Sequence, residues 1–147
     1  MKQTQPIETG IAVIDLDLML DFYCRVLGCK EERRADIPAQ LSKPLGMGAD
    51  GYVNVWLLTP YGERIKLMSP PAAPERVSLP TYLTSRTGIS YMTFYCEDLH
   101  ETLAAAEAAG AVLRSDRSLI DPARPLRLCF FADPEGNVIE LVEVDAA

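Results

Sequence analysis

The same punctuation occurs twice in this chain, once in each half. Asp15-Leu16 and Asp98-Leu99 each follow a strand-like segment. Gly28 and Gly110 each close the amphipathic run that comes next, and Pro60-Tyr61-Gly62 and Pro134-Glu135-Gly136 each separate the last two apolar runs of a half. An Asp at the head of such a run accepts from helix-start N–H groups, a Gly just past it takes the left-handed conformation that ends a helix, and a Pro-x-Gly sequence makes a tight turn. Each half therefore reads strand, helix, then three strands. The expected fold is α+β, two tandem βαβββ units. Repeated units of this kind must pair to bury a core, so the two sheets are expected to lie side by side with helices outside and a shared concave space between them. A chain of 147 residues suffices for one such domain.

The first unit is placed at about residues 5–69, a connection at 70–86 and the second unit at 87–145. Residues 7–13 read as a strand and 15–27 as a helix, with Leu16, Leu20, Tyr23 and Leu27 at helical spacing. Residues 29–37 are polar and fit an exposed edge strand. Pro38, Pro44, Gly46 and Gly48 mark 38–50 as a loop, before strands at 52–58 and 64–68. The four prolines of 70–86 mark the connection. In the second half, 88–96 reads as a strand and 99–109 as a helix, with Asp98 and Glu101 as a capping box. A short strand at 111–114, a polar loop at 115–124 and a hairpin of 126–132 with 138–144 complete it.

A formal charge of −7 argues against nucleic acid as a partner, because phosphate binding needs a basic face. The absence of an apolar run of helix-spanning length argues against a membrane. Cys24, Cys29, Cys96 and Cys129 form no CxxC pair, and three fall in expected helix or strand. They read as small core hydrophobes in a reduced, cytoplasmic chain. The only histidine, His100, falls in the first turn of the second helix and is expected at the surface, so one chain cannot build a two- or three-His metal site.

Three segments carry a family resemblance. Ile14-Asp15-Leu16 through Phe22-Tyr23 to Val26-Leu27-Gly28, then Gly88-Ile89-Ser90-Tyr91 into Glu97-Asp98-Leu99, then the closing run from Phe131 through Asp133-Pro134-Glu135-Gly136-Asn137 to Leu141, occur in order. Together, over about residues 7–144, the chain resembles the vicinal oxygen chelate superfamily of glyoxalases, bleomycin-resistance proteins and dioxygenases. That resemblance implies the glyoxalase/bleomycin-resistance fold and a homodimer.

In metal-using members of that superfamily four strand positions, usually His, Gln or Glu, hold one divalent ion. The resemblance puts those positions at Glu8, Lys66, Tyr91 and Glu140. Only Glu140 is the usual residue type, and the Lys66 ammonium has three donors and no lone pair. The expected centre is therefore metal-free, with no cofactor. Glu8 or Glu140 serves as a base, Lys66 supplies the positive charge, and Tyr91 donates to a developing oxyanion. The bland alternative is that Lys66 and Glu140 make an ion pair lining a pocket. Strand alternation extends the wall to Thr93 and Tyr95, to Arg64 and Met68, and to the small residues Gly10 and Ala12. On 52–58, Asn54 and Trp56 are preferred over the Val/Leu set, which suits packing under a helix. Loops 38–50 and 115–125 are expected as lids.

Three readings stay open. One is a metal-independent isomerase, epimerase or lyase acting on a small oxygenated metabolite. Another is a drug- or metabolite-binding protein of the bleomycin-resistance type. The third is a divalent-metal glyoxalase or dioxygenase using Zn, Mn or Fe on Glu8, Tyr91 and Glu140.

Overall fold

The two turn sequences fold almost identically, and each fixes the hairpin that carries the lower half of its unit. In the first, Thr59 N–H donates to Glu63 O (2.9 Å) and Gly62 N–H to Thr59 O (3.1 Å). In the second, Asp133 N–H donates to Asn137 O (2.8 Å) and Gly136 N–H to Asp133 O (3.0 Å). Gly62 and Gly136 stand at φ 104° and 100°, a region closed to most side chains. In this computed structural model, which describes residues 1–76 and 78–144, the chain divides into two compact units, Met1–Glu75 and Arg76–Ala147. Val77 of the expected connection and Asp145 at the expected end of the second unit lie outside the described residues.

The first unit runs β1 (Glu8–Ala12), α1 (Leu16–Arg25), β2 (Lys30–Ile37), α2 (Ala39–Ser42), β3 (Tyr52–Leu58) and β4 (Arg64–Ser69). Its sheet has the order β1-β4-β3-β2, with β1 parallel to β4 and the other pairs antiparallel. Asp15 Oδ1 accepts from Leu18 N–H at 3.0 Å to start α1. The buried stripe of α1 is Met19, Phe22 and Tyr23, while Leu16 and Leu20 of the expected face are half-buried. Apolar residues at 16, 18, 19, 20, 22 and 23 permit two overlapping stripes, and packing against β4 selects the one centred on Phe22. Beneath it Val55, Leu57, Ile65 and Leu67 are closed to solvent. Each such side chain contributes about 1.5–3 kcal/mol when fully buried.

The expected loop 38–50 contains the single-turn helix α2. Ser42 is buried there and its hydroxyl donates to Gly48 O at 2.8 Å, so the segment folds upon itself despite its Pro and Gly content.

The second unit runs β5 (Met92–Cys96), α3 (Leu99–Ala108), β6 (Val112–Leu113), β7 (Leu119–Ile120), β8 (Leu126–Ala132) and β9 (Val138–Val144), after a 3-10 turn at Leu83–Ser85. The order is β5-β9-β8-β6, with β7 also pairing β8, and β5 is parallel to β9. Two expectations are corrected. The expected strand 88–96 starts only at Met92, so Tyr91 precedes the strand. The expected polar loop 115–124 carries β7, because Leu119-Ile120 pairs with Leu128 and Arg127. Asp98 caps α3 by accepting from Glu101 N–H at 2.8 Å, and Leu99, Leu103 and Ala106 bury its inner face. Residues 76–86 belong with this unit: Arg76 donates to Pro134 O (3.3 Å) and Arg114 to Pro80 O (2.8 Å). In both units the helix-ending glycine abuts the turn proline. A Cβ on Gly28 would lie 3.2 Å from Pro60 Cγ, and one on Gly110 would lie 3.7 Å from Pro134 Cγ. None of the described helices is long and apolar enough to cross a membrane.

Candidate functional site

Each sheet has one face under its helix and one face away from it, and the polar residues singled out by sequence gather on the second. In the first unit the register pairs Gly10 with Lys66 and Trp56 with Lys66 on either side of β4. It likewise pairs Asn54 with Met68, so Glu8, Lys66, Met68, Asn54 and Trp56 share one face.

Lys66 Nζ lies 2.5 Å from Glu8 Oε2, each side chain about a third exposed. The contact is diagonal. The residue directly opposite Lys66 is Gly10, which has no side chain to intervene. Arg64, directly opposite Glu8, is instead drawn to Glu32 through two hydrogen bonds of 2.7 and 2.8 Å. That fork holds the Glu32 carboxyl below its ordinary pKa. A half-exposed pair such as Glu8–Lys66 contributes at most about 1 kcal/mol to stability, so it is better understood as a feature of the face than of the core.

Two features of this face were not legible in sequence. The Arg33 guanidinium lies 3.8 Å above the centre of the Trp56 ring, the geometry of a cation–π contact. A β-bulge between Glu31 and Arg33 shifts the alternation of β2, so that Arg33 pairs with Trp56 and shares its face. Asn54 is 3% exposed, and its Oδ1 is buried with no hydrogen-bond partner among the described residues. Its cross-strand neighbours are Met68 and Ala35, neither of which carries a side-chain donor. An unmet acceptor of this kind costs about 1–3 kcal/mol.

In the second unit Thr93 stands directly opposite Glu140, and its hydroxyl donates to Glu140 Oε2 at 2.6 Å. Phe130 flanks Glu140 on the other side, and Tyr91 packs edge-on against Phe130 with ring centroids 5.1 Å apart. Tyr91, Thr93, Phe130 and Glu140 thus form one cluster, of which Phe130 was not anticipated. Tyr95, on the Thr93 face of β5, is 73% exposed. His100 lies in the first turn of α3 and is exposed. All four cysteines are free; burial pushes Cys29 up to about 12 and Cys96 and Cys129 up to about 11.

The duplication relates the two faces position by position. Gly10 corresponds to Thr93, Lys66 to Glu140 and Trp56 to Phe130, since each trio is neighbours across three strands.

A model of the Glyoxalase/Bleomycin resistance protein/Dioxygenase superfamily matches residues 5–141. The chain belongs to this superfamily. Among its relatives is the uncharacterised protein YaeR of Escherichia coli K12, 29% identical over 136 residues that span 90% of this chain and 92% of that protein. A crystal structure of a glyoxalase family protein from Bacillus cereus matches with a TM-score of 0.82 at 25% identity, over 97% of this chain and 95% of the other. The fosfomycin resistance protein FosX of Listeria monocytogenes, solved with Mn(II) and sulfate, shares the fold at a TM-score of 0.62 and 16% identity, over 97% and 93% of the two chains.

The divalent ion implied by this superfamily meets an unsuitable donor set in the first unit. The Lys66 ammonium occupies the Glu8 carboxylate and has no lone pair to offer. An ion within a few Å would also meet like-charge repulsion of several kcal/mol at an effective dielectric of about 20. Among the described residues no three His, Cys, Asp or Glu side chains gather into a metal-holding group.

Proposed function

We infer that this superfamily member is a glyoxalase-like enzyme that moves a proton beside a carbonyl of a small oxygenated metabolite, without the usual metal. The observation that carries the reading is the Thr93–Glu140 hydrogen bond. It fixes one carboxylate oxygen at 2.6 Å and leaves Oε1 without a hydrogen bond from any described residue. A carboxylate oriented in this way is suited to act as a general base.

In this reading Glu140 Oε1 takes a proton from the carbon next to the carbonyl. The C–H electron pair moves into the new carbon–carbon double bond, and the carbonyl becomes an enolate. The Tyr91 hydroxyl, its ring braced on Phe130, donates to that enolate oxygen. Delivery of a proton from solvent to the opposite face of the same carbon gives epimerisation. Where that carbon bears a hydroxyl, passage of the hydroxyl proton to the enolate oxygen and return of the Glu140 proton to the former carbonyl carbon gives isomerisation. Departure of a leaving group with its electron pair from the next carbon gives elimination.

The test is solvent-deuterium exchange, followed by NMR, into hydroxy-ketones and 2-oxo acids with exhaustively chelated protein. Exchange by the wild type, lost in Glu140→Gln with ligand affinity kept, is the expected result. Stoichiometric Zn, Mn or Fe in protein purified without chelator, with exchange restored only by that metal, overturns the reading in favour of a metal-dependent one. The exposed rings of Tyr91 and Tyr95 favour a second reading, a binding protein of the bleomycin-resistance type. Tight stoichiometric binding with no exchange in any substrate decides for that alternative.

A further inference from the structure

The first unit carries two groups for which neither the repeat nor the chemistry assigned to Glu140 gives a use: Arg33 on the Trp56 ring, and the unmet acceptor of Asn54. We propose that together they form a binding site for a small hydroxy-carboxylate, with the carboxylate on Arg33 above Trp56 and the hydroxyl on the Asn54 amide.

Charge selects the anion. By register the face bears four cations, Lys30, Arg33, Arg64 and Lys66. Two of them are already matched, Arg64 by Glu32 and Lys66 by Glu8. Arg33 makes no ion pair with a described residue. Of the two cations left over, Lys30 stands at the end of β2, and Arg33 alone lies over an aromatic ring beside Asn54. An anion seated on Arg33 has the Glu8 and Glu32 carboxylates nearby, which favours a monoanion over a phosphate dianion. The planar fork of Arg33 matches a carboxylate in two-point contact, and the indole beneath keeps that fork from folding away.

Position selects the hydroxyl. Asn54 is two residues from Trp56 on the same strand face, a separation of about 7 Å between α-carbons. Its side chain is nine-tenths buried and Oδ1 has no partner. The flanking Ala35 carries no polar group that competes for the amide. A hydroxyl serves either end of an amide, as donor to Oδ1 or acceptor from Nδ2. A ligand with a carboxylate and a hydroxyl one or two carbons away therefore meets both groups. The site rests on the first unit alone and stands whether or not Glu140 transfers a proton.

Trp56 is the chain's sole tryptophan, so its fluorescence reports directly on the Arg33 site. The probes are sodium lactate, sodium propionate, which lacks the hydroxyl, and inorganic phosphate, titrated into the full chain with calorimetry as a second readout. Lactate is expected to bind saturably and about tenfold more tightly than propionate, the difference one hydrogen bond supplies. Asn54→Leu should bring lactate down to the level of propionate, and Arg33→Gln should weaken both by at least about tenfold. Glu140→Gln should leave all three titrations unchanged, which separates failure of this site from failure of the proton-transfer reading. Equal affinities for lactate and propionate in the wild type, phosphate binding tighter than lactate, or an Arg33→Gln chain of native stability that binds lactate as before, each overturns the proposal.

Discussion

Asn54→Leu is expected to stabilise the protein, against the usual direction of a substitution in a packed strand. Leucine keeps the branching and the number of side-chain heavy atoms, and Asn54 sits between Met68 and Ala35 with its Oδ1 buried and unpaired. Removing the unmet acceptor returns about 1–3 kcal/mol. The larger leucine offsets up to about 1 kcal/mol of that through tighter packing. The net gain is about 1–2 kcal/mol, or roughly 2–8 °C in Tm for a chain of this length. The companion variant Asn54→Asp should lose stability at neutral pH, because a buried, unpaired carboxylate is costly. The folded-state pKa of that Asp would be raised above its unfolded value of about 3.9, so its penalty is absent below pH ~4 and grows as pH rises toward the folded pKa. Urea unfolding of wild type and both variants from pH 4 to 8 measures this. A loss of about 1 kcal/mol or more in Asn54→Leu would refute the reasoning, because the amide would then hold a partner worth keeping. A residue that weakens the fold while facing the Arg33–Trp56 pair has the signature of a site kept for binding.

Three further outcomes follow from the same geometry. Gly51→Ala should cost several kcal/mol and Gly46→Ala about 1 kcal/mol, read by urea unfolding. Both glycines have positive φ, but a Cβ on Gly51 would lie 2.3 Å from Ile37 O, whereas one on Gly46 meets nothing within 4 Å. At pH 8 the native protein should alkylate Cys24 well before Cys29, whose thiol is pushed up to about 12 by burial and is therefore about 10⁻⁴ thiolate. Mass-mapped labelling in which Cys29 reacts as fast as Cys24 contradicts that burial. Glu143→Ala should lower stability by about 2–3 kcal/mol and Glu143→Gln by less, in thermal and urea melts. The Glu143 carboxylate accepts from Leu99 N–H at 2.8 Å at the start of α3 and pairs with Arg127 at 3.3 Å, and glutamine keeps only the first. Equal losses in the two variants contradict this account.

The repeat was readable in sequence because each of its marks is a local rule. Asp15 and Asp98 cap within three residues, Gly62 and Gly136 take a conformation that other residues avoid, and the Pro-x-Gly turns close over five residues. The preference for Asn54 and Trp56 as one face of β3 also followed from local alternation, and the register with Met68 and Lys66 puts them together. Tertiary pairing decided what lay beyond local reach. Thr93 meets Glu140 across 47 residues only because β5 lies parallel to β9 in that register. Glu8 reaches Lys66 because a glycine faces Lys66 and because Glu32 draws Arg64 away. Arg33 reaches Trp56 because a bulge turns an otherwise solvent-facing, polar edge strand by one residue, and a one-residue shift reverses every side chain after it. The sequence by itself determined the units, their order and the residue types available for chemistry, since capping, turn and alternation energies act over a few residues. Which of those residues touch was decided by strand register, a property of pairs distant in the chain that no local preference encodes.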